Sequence, residues 1–284
     1  MKRISTYVLC ALLGIGCANT TKQDCDDTIY VTIAPLTEIV KSITGDDFPV
    51  EVLVPAGASP ETFEPTPRQI VAINRSQALF SVGLLDFEKA LTQRLQIPNK
   101  VIDLSRGIEP IAGSCSHTHG QHTHNHGVDP HIWTSPRQLI TMAANAYEAI
   151  ATMYPDSIKY RDNYLIYSEK LRQLDESCAA ACDSCPRRCF VVFHPALTYF
   201  ARDYGMEQIA IEHEGKEPAI RQLGNAIEQA RRSGVKRVFY QSQFPRSTVE
   251  TVASDIGAEC VEIDPLRPDV SDNIIRITRL ITEQ

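Results

Sequence analysis

Short runs of β-branched and aromatic residues recur along the chain, separated by stretches whose apolar positions fall at helical spacing. In the first half these runs are Ile29 to Ala34, Val50 to Val54, Ala78 to Val82 and Lys100 to Leu104. The second half offers Cys189 to Phe193, Gln208 to Ile211, Arg237 to Tyr240 and Glu259 to Ile263. Between them lie helical stretches opened by Ser or Thr followed by Pro and closed by Gly. The alternation predicts an α/β fold of two lobes, each a roughly four-stranded, mostly parallel sheet flanked by helices.

A longer helical stretch joins the halves. Ser135 is an N-cap candidate, with Pro136 at the first helical position. Pro155 interrupts the segment, because a proline inside a helix removes a hydrogen bond and clashes with the preceding turn. Beyond it Ile158, Leu165, Ile166, Leu171 and Leu174 recur at near-helical spacing among charged residues, which predicts a long, rigid, half-exposed connecting helix. The expected division is an N-terminal lobe over 27–150 with a His-rich loop at 115–127, the connecting helix over 151–182, and a C-terminal lobe over 183–284.

Composition narrows the function. A chain of 284 residues with 43% hydrophobic content has the apolar material for two modest cores and is not disordered. Its net charge of −7 and 7% aromatic content exclude a protein that neutralises nucleic-acid phosphates or stacks on exposed bases. At the N-terminus Lys2 and Arg3 precede an apolar run from Tyr7 to Leu13, too short to span about 30 Å of hydrocarbon, so residues 1–17 read as an export signal. Cys17, after small residues, resembles the lipidation cysteine of bacterial lipoproteins; a cleaved secretory signal is the other reading. Both place the protein outside the cytosol, in the periplasm or on the outer surface.

That location bears on the cysteines. Cys178, Cys182, Cys185 and Cys189 crowd together, and in an oxidising compartment disulfides are a commoner use than metal ligation. Their spacing fits neither a zinc ribbon nor the usual ferredoxin run. Histidines cluster too: His117, His119, His122, His124 and His126 alternate with Thr, Gly, Gln and Asn, a pattern with no apolar face to bury. Such a flexible tract holds Zn, Cu or Ni loosely, since neutral imidazole is a good ligand for each, but it cannot enforce one geometry.

A tighter site belongs where strands end and helices begin. Glu61, His131, His194 and Asp264 all stand in such loops beside a proline, which restricts the backbone and preorganises a ligand shell. They follow one another at intervals of 70, 63 and 70 residues, as corresponding loops of two lobes would, although no residue-level repeat relates the halves. Taken singly, a His or Asp beside a turn is more often a local hydrogen-bonder than a ligand; together, beside the His tract, the four make a metal site the leading reading.

These loops carry a resemblance. The segments are Gly57-Ala58-Ser59-Pro60 with Glu64-Pro65-Thr66-Pro67, Asp129-Pro130-His131-Ile132-Trp133, His194-Pro195-Ala196 with Tyr199-Phe200, Glu214-Gly215-Lys216-Glu217-Pro218, and Asp264-Pro265-Leu266. In combination they resemble the solute-binding proteins of zinc/manganese ABC importers, and the His-rich loop resembles that of the zinc branch. The resemblance implies two α/β lobes joined by a rigid helix, with the ion in the cleft between them. By carry-over the ligands are Glu61, His131 and His194, with Asp264 or water fourth; Glu61 stands where the family usually has His. The harder carboxylate oxygen moves the set toward Mn²⁺, and His194 moves it back toward Zn²⁺. A carboxylate or carbonyl should fix each imidazole, Asp129 and Glu212 being the candidates.

The resemblance further implies a monomer, anchored to the membrane through its lipid, that delivers Zn²⁺ to a permease powered by an ATPase on another chain. No Gly-x-x-x-x-Gly-Lys-Ser/Thr loop is present in the sequence. Three readings compete with zinc delivery: a Mn²⁺ or Fe²⁺ binding protein of the same family, a zinc hydrolase with Glu61 or Glu64 as general base, and a metal buffer relying only on the His tract and cysteines.

Overall fold

The computed structural model describes residues 26–113, 116–119, 122–125, 127–212, 220–244 and 246–283. The expected signal segment with Cys17, and His126 of the tract, lie outside the described residues, as does the 214–218 motif.

The N-terminal lobe runs β1 (Ile29–Val31), α1 (Leu36–Thr44), β2 (Val50–Val52), α2 (Pro67–Arg75), β3 (Ala78–Ser81), α3 (Asp86–Arg94) and β4 (Val101–Asp103). Its sheet has the order β2-β1-β3-β4, and every pairing is parallel, with Val31 opposite both Val52 and Phe80. After the antiparallel pair β5 (Ser116–His119) and β6 (His122–Asn125) come two helices, α4 (Pro136–Met153) and α5 (Ile158–Ser184). The C-terminal lobe follows as β7 (Cys189–Val192), α6 (Thr198–Asp203), β8 (Glu207–Ala210), α7 (Ile220–Ser233), β9 (Arg237–Tyr240), α8 (Arg246–Ile256), β10 (Glu259–Glu262) and α9 (Val270–Thr282). This second sheet is also wholly parallel, in the order β10-β9-β7-β8.

Parallel strands covered on both faces explain the continuous apolar runs. Successive side chains of a strand point to opposite faces, so β7 sends Phe190 and Val192 into a core shared with the N-terminal lobe, and Cys189 and Val191 into a second core under α7 and α8. The shared core makes the seam between the lobes a packed one.

Helix α5 connects the lobes, touching α1 on one side and α9 on the other. It starts later than the sequence suggests, at Ile158, because Tyr154 to Ser157 around Pro155 separate it from α4. Its buried stripe also differs from expectation. Tyr160, Tyr167, Leu171, Leu174, Cys178 and Cys182 face the core, whereas Ile158, Leu165 and Ile166 are exposed. At its centre the Tyr167 hydroxyl donates to Glu38 of α1 at 3.2 Å, and the same carboxylate accepts the Ser271 backbone N–H of α9 at 3.1 Å.

One expectation is corrected here. The four clustered cysteines are free thiols, not disulfides. Cys178 and Cys182 lie one turn apart on the stripe of α5 that packs against α9 and serve as small hydrophobes; burial pushes their thiols up to about 11 and about 12. Cys178 Sγ sits 3.3 Å from the Thr278 hydroxyl and Cys185 donates to the Arg187 carbonyl at 3.0 Å, so their partners lie elsewhere. Within the His tract the backbone pairs as β5 and β6, with position 117 opposite 124 and 119 opposite 122. Thr118 and Thr123, β-branched and opposite each other, favour this extended backbone.

Candidate metal centre

Three loops converge on the seam. The first leaves β2, turns through Gly57 at φ 81°, a conformation glycine adopts without strain, and reaches Thr66, the N-cap of α2. A capping box closes there: Thr66 Oγ1 accepts the Gln69 N–H at 3.3 Å, and Gln69 Oε1 accepts the Thr66 N–H at 2.9 Å. Gln69 Nε2 then donates to the Leu53 carbonyl at 3.0 Å, which ties the two ends of the loop together. Glu61 sits at its apex, its backbone N–H donating to Ser59 Oγ at 3.3 Å.

The second loop precedes α4. Asp129 Oδ1 accepts both the backbone N–H and the ring Nδ1–H of His131, each at 2.8 Å. Burial alone would raise the Asp129 carboxyl, but the charge and hydrogen bonds of His131 outweigh it and hold the carboxyl below its ordinary value. The third loop leaves the end of β7, where His194 Nδ1–H donates to Glu212 Oε2 at 2.8 Å. Both rings are about 95% buried and present Nε2 to the seam.

The candidate ligand atoms meet there. His131 Nε2 and His194 Nε2 are 3.4 Å apart, and Glu61 Oε1 lies 3.2 Å from His194 Nε2 and 3.8 Å from His131 Nε2. Two bonds of about 2.0–2.1 Å meeting at a tetrahedral angle put their ligand atoms about 3.4 Å apart. The three separations are thus those of one zinc-sized shell. Trp133 lies beside His131 and Phe244 stacks on His194, with ring centroids 5.1 and 5.2 Å away, so apolar walls shield the donors from water.

Of the residues the sequence singles out, the structure brings together Glu61, His131 and His194, whose ligand atoms all lie within 4.8 Å of one another. Asp129 and Glu212 stand behind the imidazoles as expected. Asp264 does not join the group. Its Oδ1 accepts the Leu266 backbone N–H at 2.9 Å, the local turn bond that any Asx residue at that position can make. What the loop contributes instead is the Pro265 carbonyl, which accepts Trp133 Nε1–H at 3.0 Å and so ties the lobes beside the cluster. Sequence reasoning passed over Gln241, which lines the same cavity; its place just after a central strand was the available signal.

Two parallel-sheet lobes are spanned by a long helix, and side chains from both lobes meet at the seam, which defines a two-lobed α/β protein with a candidate metal site between its lobes. The chain belongs to the family described as zinc-uptake complex component A, periplasmic, whose model matches residues 29–280. Among its relatives, the zinc-binding lipoprotein AdcA of Streptococcus pneumoniae (strain ATCC BAA-255 / R6) is 28% identical over 281 residues, covering 94% of this chain and 56% of AdcA. The chain thus spans little more than half of that relative. The high-affinity zinc uptake system protein ZnuA of Bacillus subtilis (strain 168) is 27% identical over 276 residues, covering 90% of this chain and 86% of that protein. A crystal structure of ZnuA superposes with a TM-score of 0.82 at 33% identity, covering 91% of this chain and 98% of its own. A second ZnuA structure, of a 138-173 deletion mutant with zinc bound, gives 0.81 at 33% identity, covering 90% and 97%.

Proposed function

We propose that the protein captures an extracytoplasmic zinc ion at the seam between its lobes and delivers it to an ABC permease driven by a separate ATPase. The convergence of Glu61, His131 and His194 at 3.2–3.8 Å carries the reading. Two imidazole nitrogens and one carboxylate oxygen suit Zn²⁺, with one position left for water. Relatives named as zinc-binding or zinc-uptake proteins, and the zinc-bound ZnuA structure, support zinc over manganese. Capture and release, not turnover, is the activity, and a lipid on Cys17 is the proposed anchor at the membrane.

The ligands come from both lobes, Glu61 and His131 from one and His194 from the other. The β5–β6 hairpin, whose register pairs four of the tract's histidine positions, is proposed as an accessory collector that passes ions to the seam. Calorimetry and metal analysis on the mature protein test this. One zinc per chain is expected, with tight binding abolished by His131→Ala or His194→Ala and spared by deletion of residues 117–126. Tight binding that survives either alanine substitution but disappears with the deletion would reassign the protein as a buffer built on its His tract.

A further inference from the structure

Gln241 follows β9 immediately, and its side chain is buried, with 3% of its surface exposed. In the order β10-β9-β7-β8 the chain first adds β8 on one side of β7 and then crosses to add β9 on the other. The gap between the ends of β7 and β9 is therefore a topological switch point, where open parallel sheets hold their ligands. His194 and Gln241 flank it.

The amide of Gln241 has a fixed orientation. Nε2 donates to the backbone carbonyl of His194 at 3.1 Å, and a carbonyl can only accept, so the nitrogen faces His194 and the oxygen faces away. That oxygen is buried and has no hydrogen-bond partner among the described residues. An unpaired buried acceptor costs about 1–3 kcal/mol. Gln241 lines the same cavity as Glu61, His131 and His194, and the free volume there is about 30 Å³. A cavity of about 10–15 Å³ is already enough to hold one water molecule.

A tetrahedral shell with three protein donors leaves one position open, and a water bound to a divalent cation is a strong hydrogen-bond donor. We propose that Gln241 governs this fourth position, its Oε1 accepting a hydrogen bond from the water that completes the shell. The inference rests on the cation-binding reading above and assigns a residue to that site. Gln241 is thereby a positioning residue: it holds the water with its oxygen and the His194 loop with its nitrogen. Because the amide is neutral, it fixes the water without adding a second carboxylate charge to the shell.

Two substitutions separate the oxygen's role from the nitrogen's. Gln241→Met keeps the shape and removes both acceptor and donor; Gln241→Glu keeps an acceptor and removes the donor. Zinc affinity is measured by chelator competition on the full mature chain, with the visible spectrum of the Co²⁺-loaded protein reporting the number of ligands. The proposal expects affinity about tenfold weaker in Gln241→Met, the worth of one charge-assisted hydrogen bond, and unchanged or tighter in Gln241→Glu. It further expects the Co²⁺ spectrum to change in Gln241→Met and to stay four-coordinate in Gln241→Glu. Equal weakening in both variants would mean that only the bond to His194 matters, and unchanged affinity in Gln241→Met would mean that the oxygen holds nothing; either result overturns the proposal. Should Gln241→Met fail to fold, Gln241→Ala takes its place under the same criteria. Wild-type protein with and without His131→Ala is run alongside: absence of His131-dependent binding there sinks the metal centre itself, whereas silent Gln241 variants beside an intact control sink only this assignment.

Discussion

Loading the cluster requires the loss of a proton from His194. Its Nδ1 lies 2.8 Å from Glu212 and its Nε2 3.2 Å from Glu61. Burial disfavours the charged ring, but hydrogen bonds to Glu212 and Glu61, and the charges of both, outweigh burial and hold the imidazolium up to about 10. A cation that takes Nε2 competes with that proton. Each pH unit below the imidazolium pKa weakens apparent binding by about 1.4 kcal/mol, so at pH 7 the competition amounts to about 4 kcal/mol. Apparent zinc affinity therefore rises close to tenfold per pH unit between about pH 6 and pH 9, and about one proton leaves per ion bound. The sign for the metal-free fold is the opposite: a raised histidine pKa contributes stability that is complete below the unfolded value of about 6.5 and is lost as pH rises through the folded one. Calorimetric titrations in buffers of different ionisation enthalpy count the protons, and chelator competition across the same range gives the slope. Glu212→Gln removes one of the charges that retain the proton, so fewer protons are released near pH 8 and the slope flattens. Affinity that does not vary with pH, with no proton released, would refute the reasoning.

Two further substitutions test how the seam and the N-terminal lobe are held. Trp133→Phe strands the Pro265 carbonyl now bonded to Trp133 Nε1 at 3.0 Å; it should lower stability by about 1–2 kcal/mol, read as a drop in the urea midpoint at unchanged slope. Glu88→Ala removes the buried carboxylate that accepts the backbone N–H groups of Val82, Gly83 and Leu85 at 2.8, 2.7 and 3.1 Å, leaving Val82 only its longer 3.4 Å bond to Thr32 Oγ1, and should cost about 3 kcal/mol by the same measurement.

The sheets were legible because parallel strands covered on both faces leave uninterrupted β-branched runs. Seven of the eight runs read from the sequence contain their observed strands, most of them trimmed by one to three residues at an end, and β8 is offset by one, starting at Glu207 rather than Gln208. Helix α5 was legible in existence but not in facing, since its stripe uses Tyr160, Tyr167 and two cysteines, while Ile158, Leu165 and Ile166 look outward. Apolar spacing alone cannot say which of two nearby stripes meets a neighbour. At the site, proline-bracketed loops pointed to Glu61, His131 and His194, yet the same criterion also picked Asp264, whose carboxylate is taken up by its own turn. Sequence intervals carry no information about which way a carboxylate points. The cysteines misled for a related reason: their crowding in sequence reflects one helix face and the strand after it, not a set of bridges. Gln241 gave no signal by residue type, because a lone glutamine acquires meaning only from the strand order that puts it beside His194.

X-ray absorption at the zinc edge of the mature, zinc-loaded protein tests the central claim most directly. The account predicts nitrogen and oxygen neighbours only, at about 2.0–2.1 Å, with the outer-shell scattering of two imidazoles. A sulfur neighbour at about 2.3 Å, or scattering from four imidazoles, would move the ion to the cysteines or to the His tract and contradict it.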